Sequence, residues 1–164
     1  MDVEKGKTIF YKYNGRIVSI EREVGDEYAK CKIPSDVEAI WQKDIMEELL
    51  KKIGKSHGAD KFSHICEYVQ LLSEEQAVDF LLHIINNDNL DTFTCLLLCE
   101  SLKRYLGSAF VDEMRKGEIL SVLDDRRDKM THVKIVVDGS YMNKSYMKDY
   151  DFSEENIKSR IRRL

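Results

Sequence analysis

The stretch Thr8-Ile9-Phe10-Tyr11-Lys12-Tyr13-Asn14-Gly15-Arg16-Ile17-Val18-Ser19-Ile20 carries the strongest local structural signal in the chain. Asn14-Gly15 separates two runs rich in β-branched and aromatic residues, and both turn residues tolerate positive φ, the demand of a two-residue type I′ turn. Pairing outward from that turn puts Ile9, Tyr11 and Tyr13 on one face with Val18 and Ile20, and turns Lys12 and Ser19 the other way. Gly25-Asp26 permits a second reversal, after which Ala29, Cys31 and Ile33 alternate with Tyr28, Lys30 and Lys32. A lone hairpin is marginal in water, so a third strand is expected to complete an antiparallel β-meander over residues 1–34.

Pro34 stops that strand, and Ser35 with Asp36 and Glu38 supplies a helix start. Val37, Ile40, Trp41, Ile45, Met46, Leu49, Leu50 and Ile53 then recur at helical spacing up to Gly54, and Lys55–Lys61 reads as a linker. Phe62, Ile65, Cys66, Val69 and Leu72 restart the period. Ser73 with Gln76 matches a capping box ahead of Ala77, Phe80, Leu81, Ile84 and Ile85. After the turn at Asn86-Asn87-Asp88-Asn89, a helix from Asp91 to Leu106 is apolar over most of its circumference, which predicts neighbours on several sides. Val111, Met114, Ile119, Leu120, Val122 and Leu123 continue in two shorter helices divided near Lys116-Gly117.

Val133-Lys134-Ile135-Val136-Val137 is β-prone, and Asp138-Gly139 can turn it back toward Tyr141 as a C-terminal β-hairpin, alone or joined to the meander. Ser153 with Glu154 and Glu155 opens a last helix. The expected class is therefore α+β: a meander at 1–34, a predominantly helical core of hairpins at 35–130 and a β-prone and helical segment at 131–164, packed as one domain. Helix beginnings at irregular intervals match no defined repeat consensus.

Hydrophobic residues make up 43% and charged residues 34% of the 164, a balance that opposes wholesale disorder. The apolar series Cys95-Leu96-Leu97-Leu98-Cys99 ends at Glu100, far short of a bilayer span, and no secretory segment follows Met1, so a cytoplasmic protein with no membrane association is expected. Cys31, Cys66, Cys95 and Cys99 then read as free thiols in a reducing compartment. The net charge of −4 hides an asymmetry: residues 35–125 carry 18 acidic and 9 basic residues, whereas residues 126–164 carry 6 and 10. The middle segment would repel duplex DNA and attract a basic protein.

Chemical motifs are sparse. No Walker A, GxGxxG, HExxH or GxSxG pattern occurs. His57, His64 and Cys66 do not reproduce a zinc ligand set, and Cys95 and Cys99, one helical turn apart around three leucines, read as core. His83 beside Asp79, and His132, would serve a small hydrolase only if each met a carboxylate in a cavity. No cofactor and no metal are expected.

These features favour a nonenzymatic protein-binding module, an inhibitor or immunity-like neutraliser of a basic protein. Asp79, Asp88, Asp91, Asp112 and Glu113 would steer the partner, and exposed aromatic or aliphatic neighbours would anchor it. The alternative is a nucleic-acid-associated regulator whose phosphate-facing patch is Lys144, Lys148, Lys158, Arg160, Arg162 and Arg163. Homo-oligomerisation is left open by the sequence.

Overall fold

In the computed structural model, which describes residues 2–164, every regular element is a helix. Eight α-helices follow one another: α1 (Val3–Lys12), α2 (Ile17–Cys31), α3 (Ser35–Lys55), α4 (Gly58–Val69), α5 (Glu74–Asn87), α6 (Thr92–Lys103), α7 (Glu113–Thr131) and α8 (Glu154–Ile161), with short 3₁₀ turns at Arg104–Gly107, Gly139–Asn143 and Ser145–Met147. Among the described residues there is no strand. The expected α+β class, with its β-meander over 1–34 and its C-terminal antiparallel hairpin, is therefore corrected to all-α.

Asn14 and Gly15 explain the first correction. Both do take positive φ, 51° and 70°. They use it to end a helix: Gly15 N–H donates to Phe10 C=O (2.9 Å) and Asn14 N–H to Tyr11 C=O (3.0 Å). These six-to-one and five-to-two bonds form a Schellman motif, with Asn14 in the left-handed position just past the helix. An Asn-Gly pair satisfies a type I′ turn and a helix stop equally well at the level of φ, so the flanking period decides between them. Ile20, Val24, Tyr28 and Cys31 keep a helical spacing and pack on the core side of α2, with Ile17 exposed at its start. Val24 leaves helical geometry (φ −143°, ψ 23°), which kinks α2 just before Gly25-Asp26, where a strand reversal is expected from sequence.

The chain divides into two compact units. The first comprises the chain through Lys55 together with His64–Leu71. Its core gathers Ile9, Phe10, Ile20, Cys31, Trp41, Ile45 and Leu49. Phe10 sits 5.6 Å from Trp41 and 6.4 Å from Tyr28, centroid to centroid. The Tyr28 hydroxyl donates to Glu38 at 2.6 Å, which gives the half-buried ring a partner for its polar end.

The second unit comprises Ser56–Ser63 and Leu72–Leu164. Helix α6 is its centre: eight of its twelve residues, Phe93 to Cys99 and Leu102, are buried, and α5, α7 and α8 pack around it. The capping box at Ser73 and Gln76 starts α5. Helix α7 runs unbroken through Gly117, replacing the two shorter helices expected there. In the C-terminal region Asp138-Gly139 does turn the chain, but into 3₁₀ geometry: Asp138 accepts from Ser140 N–H (2.8 Å) and Tyr141 N–H donates to Asp138 C=O (3.1 Å). Val133–Val137 forms no hairpin, because the chain beyond it closes into turns that bury Tyr141 and Met147 in the unit's own core.

Gly15 gives a test of the helix stop. A Cβ there would lie 3.1 Å from the Phe10 ring in a left-handed backbone. Gly15→Ala is expected to lower stability by about 1–2 kcal/mol, read as a fall in the midpoint of thermal or urea unfolding followed by circular dichroism.

Candidate protein interface

A short connection between the 3₁₀ turn after α6 and the start of α7 presents the most exposed large apolar side chains of the second unit. Phe110 is 74% exposed and Met114 is 83% exposed, four residues apart. Between them Val111 turns inward and is buried, pinning the loop to the core. Asp112 caps α7, accepting from Arg115 N–H at 2.8 Å. Ser108 holds the other end: its hydroxyl donates to Glu74 in the first turn of α5 and accepts from Phe110 N–H at 3.4 Å.

Charge surrounds this knuckle. The Arg115 guanidinium is shared between Asp79 of α5 and Glu118 of α7, and Lys116 pairs with Glu113 at 2.6 Å. Glu74, Asp79, Asp112, Glu113 and Glu118 thus bond this segment or its two cations, Arg115 and Lys116, five carboxylates to two cations within these contacts. Of the five acidic residues singled out by sequence, Asp79, Asp112 and Glu113 come together here. The anchors Phe110 and Met114 were not singled out. Phe110 lies outside any helix and so belongs to no period, and Met114 reads as one more apolar residue of a helix face.

Asp88 and Asp91 lie elsewhere in the unit, beside a cavity of about 420 Å³ lined by residues that include His57, Gly58, Lys61, Thr94 and Asp138. Lys61 is 9% exposed and pairs with Asp88 at 2.5 Å. Asp91 caps α6, accepting from Phe93 N–H (3.1 Å), Thr94 N–H (3.0 Å) and the Thr94 hydroxyl. The Thr94 hydroxyl also meets that of Tyr141 at 2.8 Å, fully buried. Hydrogen bonds from the Ser140 side chain and backbone hold the Asp138 carboxyl below its ordinary range, and the charge of His57 adds to this. Asp88 and Asp91 thus each make a structural contact within the unit, away from Phe110 and Met114 in sequence.

The basic residues are spread over the C-terminal segment. Lys144 pairs with Asp60 (2.6 Å) and Lys158 with Glu154 (2.6 Å). Arg160 makes a two-pronged contact with Glu100, hydrogen bonds the Tyr150 hydroxyl and lies against the Tyr150 and Phe93 rings. Arg163 donates to Ser159 C=O at 3.1 Å, while Lys148 and Arg162 are exposed. Much of this positive charge is thus compensated within the unit.

Among the described residues neither histidine considered for hydrolysis meets a carboxylate: His83 contacts Asn87, with the Asn87 side chain donating to its C=O at 2.9 Å, and His132 caps α7 on the exposed side. The four cysteines are free thiols. The hydrogen bond to Cys95, together with burial, keeps the Cys99 thiol protonated. Among the described residues no group of three or more His, Cys, Asp or Glu side chains could hold a metal ion, and no helix is long and apolar enough to cross a membrane. Comparison with known proteins matches the chain to no family model, no curated protein and no solved structure.

The two kinds of basic residue separate by mutation. Arg160→Met is expected to cost about 1–3 kcal/mol of unfolding free energy, because Glu100 and the Tyr150 hydroxyl lose their partner. Lys148→Ala and Arg162→Ala are expected to stay within about 0.5 kcal/mol of the parent, all three measured by urea denaturation.

Proposed function

We propose that the chain is a nonenzymatic protein-binding module that engages a basic partner through the Phe110–Met114 knuckle, with inhibition or neutralisation of that partner as its effect. The observation that carries this reading is the pairing of two exposed apolar side chains with an excess of carboxylates on one short, well-anchored surface. Exposed single hydrophobics are ordinary on a protein surface, whereas an aromatic and a methionine four residues apart, beside a local excess of carboxylates, match the anatomy of an interface with an apolar centre and a polar rim.

The division of labour follows from range. Carboxylates act over about 8–10 Å at physiological salt and so speed encounter and select partners of opposite sign. Phe110 and Met114 contribute on contact, when they leave water and fill an apolar recess of the partner. Arg115, neutralised from two sides, keeps Asp79 and Glu118 in place without reversing the sign of the surface. The partner that fits carries lysines or arginines around an apolar pocket.

Affinity capture from the source cells, repeated in graded salt, tests this with three forms of the protein. The parent is expected to retain a basic partner at near-equal stoichiometry, less of it as salt rises. Phe110→Ala with Met114→Ala is expected to lose it, a cost of at least about 2 kcal/mol. Glu113→Lys, at a side chain with no capping role, is expected to slow association. Equal capture by the parent and the double variant would remove the knuckle from the interface.

A further inference from the structure

The C-terminal ends of α6 and α8 meet at a concavity of about 370 Å³ lined by Glu100, Lys103, Arg104, Arg160, Arg163 and Leu164. Lys103 closes α6, Arg104 opens the 3₁₀ turn after it, and Arg163 and Leu164 follow α8. Four of these six residues are cationic, in a chain whose net charge is −4. Glu100 is the one acidic side chain among them, and both of its oxygens are taken by Arg160, which also bonds the Tyr150 hydroxyl. That pair is neutral. Lys103, Arg104 and Arg163 remain, and none of them meets a described Asp or Glu side chain.

Cations gather at helix C-termini because the last carbonyls carry partial negative charge, and part of the arrangement is of that kind. The Lys103 ammonium donates to Arg163 C=O, and the Arg163 guanidinium donates to Ser159 C=O (3.1 Å) and to the Ser159 hydroxyl (3.3 Å). Such bonds use donors and cancel no formal charge. Lys103 keeps donors to spare, Nη1 of Arg163 bonds no described residue, and the Arg104 guanidinium makes no hydrogen bond or ion pair with any of them. Like charges around one concavity repel one another, and an anion placed among them converts that repulsion into attraction.

We propose that this concavity binds a small molecule through a diphosphate group. Guanidinium forks take phosphate oxygens two at a time. A single phosphate monoester carries about 1.5 to 2 negative charges at neutral pH, whereas a diphosphate carries about three and so balances Lys103, Arg104 and Arg163. The volume lies within the range of about 300–1,000 Å³ common to small-ligand sites, and a diphosphate fills only part of it. The buried Leu164 and the aliphatic stem of Lys103 offer apolar wall to the organic group that the diphosphate carries. A nucleic-acid strand asks instead for a track of free cations along successive phosphates. Lys144 and Lys158, which would extend such a track, are paired with Asp60 and Glu154.

Isothermal titration calorimetry on the full chain, at fixed ionic strength and without divalent cations, tests the inference with inorganic pyrophosphate, a nucleoside diphosphate and inorganic phosphate as probes. Pyrophosphate is expected to bind one to a chain, with phosphate about tenfold weaker and the nucleoside diphosphate at least as tight. Arg104→Ala, which removes no bond of the fold, is expected to weaken pyrophosphate about tenfold with the circular dichroism unchanged. Arg162→Ala loses the same charge one residue before Arg163 but outside the lining, and is expected to change binding by less than about twofold. Absence of pyrophosphate binding at millimolar concentration overturns the proposal. Equal losses in Arg104→Ala and Arg162→Ala also overturn it, because they mark a diffuse positive field. So does a single-stranded RNA oligonucleotide that binds and is not displaced by pyrophosphate.

Discussion

The first turn of α6 is buried, so its N–H groups must find partners inside the protein. Asp91 supplies one carboxylate oxygen to Phe93 and Thr94 N–H, and Val136 lends Phe93 a second acceptor. That requirement fixes a good deal at once. It draws residues 133–137 alongside α6, places Tyr141 where its hydroxyl meets Thr94, and seats Phe93 among Tyr141, Tyr150 and Phe152 at centroid distances of 4.8–5.5 Å. Arg160 then closes the aromatic group by stacking on two of its rings while Glu100 neutralises it. A capped helix end and an aromatic cluster thus hold a C-terminal segment that has little regular structure of its own.

How much of this was legible in the chain depended on whether a residue's local chemistry admits one geometry or several. The Ser73 capping box and the all-round apolar α6 admit one, and the structure has them where the pattern puts them. Asn14-Gly15 admits two, since positive φ at two successive residues ends a helix as readily as it makes a hairpin. Alternation over Ile9, Tyr11 and Tyr13 was too short to choose, because Ile9 and Tyr13 are also one helical turn apart. The longer series from Ile17 to Cys31 holds the information, and the kink at Val24-Gly25 breaks it into pieces that resemble strand ends. At Val133–Val137 β-propensity alone does not make a strand, because hairpin formation needs a partner and the following residues are used in the core instead.

The candidate surface was legible in charge and not in shape. Composition marks the middle of the chain as acidic, yet a carboxylate in sequence gives no sign of whether it will steer a partner, cap a helix or neutralise a buried cation. The structure divides them: Asp88 answers Lys61, Asp91 answers the N-terminus of α6, and Asp79, Asp112 and Glu113 meet around Arg115 and Lys116. Capping does not cancel a charge as seen from outside. Asp112 offsets the positive end of α7 locally, and its carboxylate still adds to the field that a cation meets on approach.

Order in the loop before α7 bears on what Phe110 can contribute. A side chain on a free loop loses backbone freedom when it docks, at roughly 1–2 kcal/mol for each residue immobilised, which offsets most of what a buried phenyl ring gains. Here that ordering accompanies folding: Val111 is buried, its N–H bonds Ser108 C=O at 3.2 Å, Ser108 is tied to Glu74, and Asp112 begins a nineteen-residue helix. Phe110 is thus presented from a backbone already fixed on both sides, and its burial in a partner is resisted chiefly by its own two torsions. Met114 lies on the helix itself and has a flexible unbranched side chain, suited to fill whatever space the ring leaves. A rigid aromatic and an adaptable thioether, four residues apart on an ordered backbone, would give up little conformational freedom on docking.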